Sequence, residues 1–190
     1  MAQINTNDLK GGVKLLIDGN PYSVIAAQFV KPGKGPAFVK TTIKNLMNKK
    51  STEKTFKSDI KIDLADVFMT DLEYLYNDGT SAYFMNSSTH EQPEIPMSNL
   101  GDAQKWLKDG TSYKVTFFNG EAIEVEPPQK MDLEVTESAP GEKGNTATNA
   151  TKPATVETGV EIQVPLFIGE GDIVRVNTET GKYEERVSQG

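Results

Sequence analysis

Short apolar or β-branched runs separated by turn dipeptides recur along the whole chain, and this grammar leaves room for little except small antiparallel sheets. Residues 13–17 form an apolar-rich run ending at Asp18-Gly19-Asn20-Pro21, and residues 22–30 form a second run rich in β-branched and aromatic side chains. Two such runs around an Asp-Gly turn read as a hairpin, because Asp and Gly accept the positive φ of tight turns. After a Pro/Gly break at 31–37, residues 38–46 return with Phe38, Lys40 and Thr42 on one face and Val39, Thr41 and Ile43 on the other. A turn at 48–51 precedes runs at 52–56 and 57–62. About five short strands in this stretch is the density of a small barrel.

The same grammar continues. Runs at 67–76 and 80–85 flank Asn77-Asp78-Gly79, and runs at 113–118 and 122–125 flank Asn119-Gly120. Between them, 98–108 is the one good helix candidate. Ser98 is its expected cap, Leu100, Ala103, Trp106 and Leu107 its apolar side, and Asp109-Gly110 its stop. One short helix among strands fits an OB-type barrel, and Pro127-Pro128 marks the end of that unit. Residues 131–136 then alternate strictly. The polar stretch 138–153 is expected to be a long exposed loop, since it holds too little apolar surface to offset its ordering entropy. Runs at 160–164, 173–176 and 183–187 close the chain. The fold class read from this pattern is all-β: three small β-barrels in series, at 1–65, 66–128 and 129–190.

With 190 residues, such barrels bury only modest cores. The absence of Cys excludes disulfides, thiolate metal sites and cysteine nucleophiles, and the single histidine, His90, leaves little for imidazole chemistry; no metal and no cofactor are expected. No run approaches the roughly 18 apolar residues that span a bilayer, and Met1-Ala2-Gln3-Ile4-Asn5 carries no secretory pattern, so no membrane partner and a cytoplasmic location are expected. The net charge of −7 is unevenly divided: residues 1–65 hold 11 Lys against 5 acids, and the remainder holds 9 basic against 22 acidic residues. A basic head suits a phosphate-bearing partner, while the acidic body either is kept off phosphate or only aids solubility.

The most unusual segment is Lys31-Pro32-Gly33-Lys34-Gly35-Pro36-Ala37. Its prolines fix their own φ and bias the preceding residues toward extended conformations, and Gly33 and Gly35 let the chain reverse beside Lys34. The result is a narrow hairpin tip with a cation at its apex, either an ordinary solvated turn or a projecting functional group. It is not a phosphate loop, because the Ser/Thr after the lysine and the spacing to a first glycine are both missing. Nor does so bare a tip offer the burial that would activate a Schiff-base lysine. Glu121, Glu124 and Glu126 read as a solvent face rather than an acid/base pair, and the patterns at Asn86 and Asn149 mean nothing without secretion. An enzyme is therefore not expected. A free RNA-binding module would need a basic groove and aromatic platforms in the second and third barrels, against their acidic balance.

The Lys-Pro-Gly-Lys-Gly tip followed by Ala37-Phe38 resembles the bacterial elongation factor P family. So does Lys152-x-Ala154-x4-Gly159-x2-Ile162-x-Val164-Pro165-x2-Ile168-x2-Gly171, and the terminal Tyr183-x-x-Arg186 is similar to the family's tail. The resemblance runs end to end. It implies an SH3-like (KOW-type) barrel and two OB-fold barrels in an L-shaped, tRNA-like arrangement. It implies a monomeric translation elongation factor that binds the ribosome between the P and E sites and relieves stalling at consecutive prolines. Lys34, held by Pro32, Gly33, Gly35 and Pro36, would enter the peptidyl-transferase centre beside the P-site peptidyl-tRNA. Lys31, Lys40 and Lys44 would meet ribosomal RNA and tRNA phosphates, and the acidic remainder a ribosomal protein or solvent. Tyr183 and Arg186 would face the small subunit. The family's Gly-Asp-Thr loop near E-site mRNA is here Gly144-Asn145-Thr146, which lacks the carboxylate. Many members extend the apical residue by modification, making Lys34 the candidate, but Pro-Gly-Lys-Gly-Pro resembles a branch that works unmodified, with rigidity in place of reach.

Overall fold

Alternation along Phe38–Asn45 buries Val39, Thr41 and Ile43 and turns Lys40 outward, the pattern of a strand with one face on a core. In the computed structural model, which describes residues 2–141 and 150–190, that strand belongs to a four-stranded antiparallel sheet. Its strands are β2 (Lys14–Ile17), β3 (Asn20–Val30), β4 (Phe38–Asn45) and β5 (Ser51–Lys57), paired in sequence order; β1 (Gln3–Asn5) pairs separately with β6 (Lys61–Asp63). Asp18 and Gly19, at φ 51° and 77°, make the β2–β3 turn. Leu9, Leu15, Val24, Val39, Ile43 and Phe56 form the core. The inward Thr41 hydroxyl is satisfied by donating to the Lys54 carbonyl at 2.6 Å.

The expected single run at 57–62 is not one strand. Pairing with β4 ends at Lys57, and Asp59 turns the chain at φ 58°. The corner is fixed by Asn5 Nδ2 donating to Asp59 Oδ1 (2.7 Å) and Ser58 Oγ donating to Asn7 Oδ1 (2.8 Å). The chain then resumes as β6, three residues against β1.

A five-stranded sheet follows, built from β7 (Val67–Asn77), β8 (Ser81–Met85), β9 (Glu94–Pro96), β10 (Ser112–Phe118) and β11 (Glu121–Glu126) in the order β11-β10-β7-β8-β9. Tyr74, Phe84 and Tyr113 pack edge to face in its core, with ring centroids 5.6 to 6.2 Å apart. The helix expected at 98–108 is instead two 3-10 turns, Met97–Asn99 and Gly101–Trp106. Pro96, not Ser98, occupies the first cap and makes no side-chain bond, and Gly101 breaks the run at φ 56°. Three residues per turn suits this sequence, since Leu100, Ala103 and Trp106, each three apart, then align on one buried edge.

The third sheet consists of β12 (Lys130–Ser138), β13 (Thr151–Val156), β14 (Glu161–Pro165), β15 (Ile173–Asn177) and β16 (Lys182–Ser188), antiparallel in the order β14-β13-β12-β15-β16. Residues 151–153 of the expected loop therefore belong to a strand. Their partners on β14 are Pro165, Val164 and Gln163, and Pro153 lies past the last β12 pair, Ser138↔Ala154, where its missing N–H breaks no ladder there.

Backbone contacts divide the chain into two compact units, 1–69 with 116–123, and 70–115 with 124–190. Within the second unit, Trp106 is 3% exposed and sits in the core of the third sheet with Met131, Leu133 and Val135. The Tyr113 hydroxyl donates to the Trp106 carbonyl and accepts from the Lys108 amide. Lys108 Nζ donates to the Asp132 carbonyl (2.9 Å) and lies 3.0 Å from Glu157, whose carboxylate accepts the Glu134 amide. No helix among the described residues is long and apolar enough to cross a membrane.

Candidate functional site

The longest hairpin of the first sheet carries the tip. Pairing of β3 with β4 runs from Tyr22↔Asn45 to Val30↔Phe38, and the Ser58 amide donates to the Ala37 carbonyl at the base. Beyond it Lys31, Gly33, Lys34, Gly35 and Pro36 are exposed, and Pro32 is half-buried. Gly35 is favoured by its backbone: its φ is +111°, a region that residues with a Cβ rarely adopt, although a Cβ there would meet the Pro32 ring only at ordinary contact distance, 3.9 Å. Gly33 has no positive φ and open space around it, so the reversal rests on one glycine rather than the two expected. Lys34 has no hydrogen bond and no ion pair among the described residues. An ammonium so placed is hydrated in the free protein and available to an external anion or carbonyl.

Two of the three lysines expected to meet RNA share a sheet face. Lys40 and Lys44 are four residues apart on β4, about 13 Å at strand rise. Lys40 lies opposite Gln28 and Thr55, and Lys44 opposite Ser23 and Ser51. Ser23 also pairs with Lys14, whose Nζ donates to its hydroxyl at 2.9 Å, so Lys14 joins this face. Register alone reveals that lysine, and sequence spacing gives no hint of it. Glu53, paired with Thr42, is a carboxylate on the same face. Lys31 stands apart, exposed where β3 ends.

At the chain's far end, Tyr183 and Arg186 are three residues apart, a spacing that in a regular strand puts side chains on opposite faces. A bulge corrects this. Arg186 pairs with Val174, Glu185 with Arg175 and Tyr183 with Val176, leaving Glu184 unopposed, so both side chains share the face of Val174 and Val176. Tyr183 packs on the third core, and burial pushes its hydroxyl up from its ordinary value. The Arg186 guanidinium lies over the exposed Phe167 ring at 5.1 Å and 3.8 Å from Asp172. Asp172 is buried, and the Gly169 amide, then the Gly190 amide, hold its carboxyl below the usual range, with Arg186 adding less. Phe167 and Asp172 are the residues sequence reading missed here. Gly144, Asn145 and Thr146 lie outside the described residues.

Three family profiles match the chain in succession. The Elongation factor P (EF-P) KOW-like domain covers 5–62, the Elongation factor P (EF-P) OB domain 68–125, and the Elongation factor P C-terminal domain 131–186. An Elongation factor P of Rhodopirellula baltica is 49% identical over 99% of this chain and 96% of its own length. One of Acetivibrio thermocellus is 48% identical over 97% of this chain and 100% of its own. Among solved structures, Eukaryotic translation initiation factor 5A from Methanococcus jannaschii aligns with a TM-score of 0.53 at 22% identity, covering 66% of this chain and 92% of its own. A Translation initiation factor eif-5a family protein from Naegleria fowleri aligns at 0.51 and 15% identity, over 65% and 94%. These two share the fold of the matched part. Consecutive profiles across all three sheets, with near-full-length relatives at about half identity, carry one conclusion: the chain belongs to the elongation factor P family of translation elongation factors.

Proposed function

We propose that this elongation factor binds the ribosome between the P and E sites and promotes peptide-bond formation at consecutive prolines, with Lys34 steadying the end of the P-site peptidyl-tRNA. The observation that carries this is the tip: a cation with no partner among the described residues at the end of the longest first-sheet hairpin. Proline is a poor nucleophile in peptide transfer because its ring constrains approach. A group that orders the reacting end acts through orientation alone, and no side chain need take part in bond chemistry. In this reading the chain divides at 1–65, 66–128 and 129–190, works as a cytoplasmic monomer, and needs no cofactor. Lys14, Lys40 and Lys44, with Lys31 at the tip's base, meet ribosomal RNA and tRNA phosphates, an interaction that weakens as salt rises. Tyr183 and Arg186 face the small subunit, and 144–146 approach E-site mRNA.

Lys34→Ala tests it in a reconstituted translation system reading a polyproline message. A side chain this exposed adds little to the fold, so unfolding should be unchanged while rescue is lost. Full rescue by the variant removes Lys34 from the mechanism. Intact mass of the native protein decides whether the bare ammonium is the working group.

A further inference from the structure

The outer face of the five-stranded sheet carries a feature that rescue by the tip does not use. Tyr76 and Tyr83 pair across β7 and β8, and their rings stack at 4.7 Å between centroids and 20° between planes. Ala82, Phe84 and Ile95 point into the core, so this stack is on the other side. One ring face of Tyr76 rests on Tyr83, and at 57% exposure the opposite face is open to solvent. Tyr83 is fixed from below: its hydroxyl donates to Asp78 Oδ2 at 3.1 Å. Asp78 is itself pinned by the Thr80 and Ser81 amides at 2.9 and 2.8 Å, and those bonds, Ser81's first, hold its carboxyl below the ordinary value. On the far side of Tyr83, β9 places exposed Glu94 directly opposite it, and the Glu94 carboxylate makes no hydrogen bond or ion pair among the described residues. Across the strands the row therefore reads Tyr76, Tyr83, Glu94, with Asp78 at the turn.

Each part of this row favours a cation. The ring face carries the negative end of the aromatic quadrupole, and the two carboxylates add full charges on either side of the stack. A nucleobase could stack on the same ring, but its phosphates would meet Asp78 and Glu94, and no residue of the row is cationic to offset that. We propose that the Tyr76–Tyr83 stack with Asp78 and Glu94 is a docking site for an arginine or lysine side chain carried by a basic protein segment. The rigidity argues for a site rather than a patch. Tyr83 and Asp78 hold each other, so the platform is formed before anything binds and loses little side-chain freedom on binding.

The test uses the full chain and two probes, a fluorescein-labelled hexa-arginine peptide and a labelled six-nucleotide oligouridylate, read by anisotropy at low salt. The peptide should bind more tightly than the oligonucleotide. Tyr76→Ala should weaken peptide binding about fivefold, Tyr76→Phe should retain it, and Glu94→Gln should weaken it about twofold. Glu161→Gln, at an exposed carboxylate on β14, should leave it unchanged. In an amide-resolved NMR titration the Thr80 and Ser81 signals should move with the peptide. The proposal is overturned by tighter oligouridylate binding, by an unchanged affinity in Tyr76→Ala, or by a loss in Glu161→Gln equal to that in Glu94→Gln, which would mean attraction to net charge alone.

Discussion

Trp106→Ala tests whether a side chain from the segment between β9 and β10 is a structural part of the third sheet. The indole is 3% exposed among Met131, Leu133 and Val135. Burying an aromatic side chain removes about 150–250 Å² from water. At about 25 cal/mol per Å² this is roughly 4–6 kcal/mol as an upper bound, in line with the 3–5 kcal/mol typical of Trp→Ala in a core. Stability of a single domain is about 5–15 kcal/mol, so the loss is a large share of what holds the sheet. The Tyr113 hydroxyl bonds the Trp106 carbonyl, which the variant keeps, and the experiment therefore isolates the side chain. Unfolding of a chain with several cores is not two-state, so the readout is amide hydrogen exchange rather than one melting curve. Protection in β12 and β15 should fall more than about a hundredfold, since each 1.4 kcal/mol is a factor of ten, while β3 and β4 stay as they were. Faster exchange confined to residues 97–113, with β12 and β15 untouched, would show that the third core closes without the indole.

Tyr113→Phe should cost about 1–3 kcal/mol by leaving the Trp106 carbonyl and Lys108 amide without their partner, measured by the same exchange experiment. Burial pushes the Tyr113 hydroxyl from 10.0 up to about 12, so its contribution is complete below pH 10 and is lost as pH rises from 10 through 12; an alkaline unfolding midpoint unmoved by Tyr113→Phe would refute this. Asp172 runs the other way. Its carboxyl is lowered from 3.8, so the stability it adds is present above that pH and lost as pH falls below it. Because the Gly169 and Gly190 amides outweigh Arg186, Arg186→Ala should leave Asp172 titrating below 3.8 by NMR, and a return to 3.8 would make the ion pair the cause. In ribosome binding, Arg186→Ala should weaken affinity, and equal affinity would count against the proposed tail contact. Replacing Pro32 and Pro36 together by Ala should raise the factor concentration needed for polyproline rescue about four- to thirtyfold, from about 0.4–1 kcal/mol of lost stiffness each, and an unchanged requirement would show that rigidity is not what the prolines supply.

What the sequence disclosed and what it hid follow from the length over which each signal repeats. β12 was legible because apolar and polar residues alternate strictly over six positions, and β4 because its β-branched run follows a clear break although its alternation is imperfect; the structure buries one face of each. β1 and β9 have three residues apiece, too few for alternation to register, and exist because a neighbouring edge was there to pair with. The segment after β9 carried a true signal with two readings: apolar residues at every third position suit a 3-10 turn as well as one edge of an α-helix, and Gly101 decided between them. The Tyr183 and Arg186 spacing could not be interpreted without the bulge at Glu184, a register event that shows only in the pairing of β16 with β15. At the tip the position of Lys34 was legible, because Pro and Gly constrain the backbone locally. The face shared by Lys14, Lys40 and Lys44 was not, because it depends on which strands lie side by side.

The tip's composition makes little sense as an investment in the fold. Gly33 and Gly35 enlarge the unfolded chain's freedom and so weaken folding, Lys34 meets no partner among the described residues, and none of these residues adds to a core. The flanking prolines offset part of that entropy by restricting the same unfolded chain. A purely structural β3–β4 connection could dispense with all of this, since an Asp-Gly pair closes the β2–β3 turn in two residues. Seven residues that leave a cation without a partner among the described residues fit the proposal that the ammonium reaches something outside the chain. The opposing use of glycine and proline then acquires a reason: Gly35 permits the one backbone angle the reversal needs, and the prolines limit how far the remainder can wander. Such a segment should separate function from stability, so that changes at 31–37 alter rescue with the fold intact, whereas changes at Leu15 or Ile43, fully buried in the same barrel, unfold the platform that holds it.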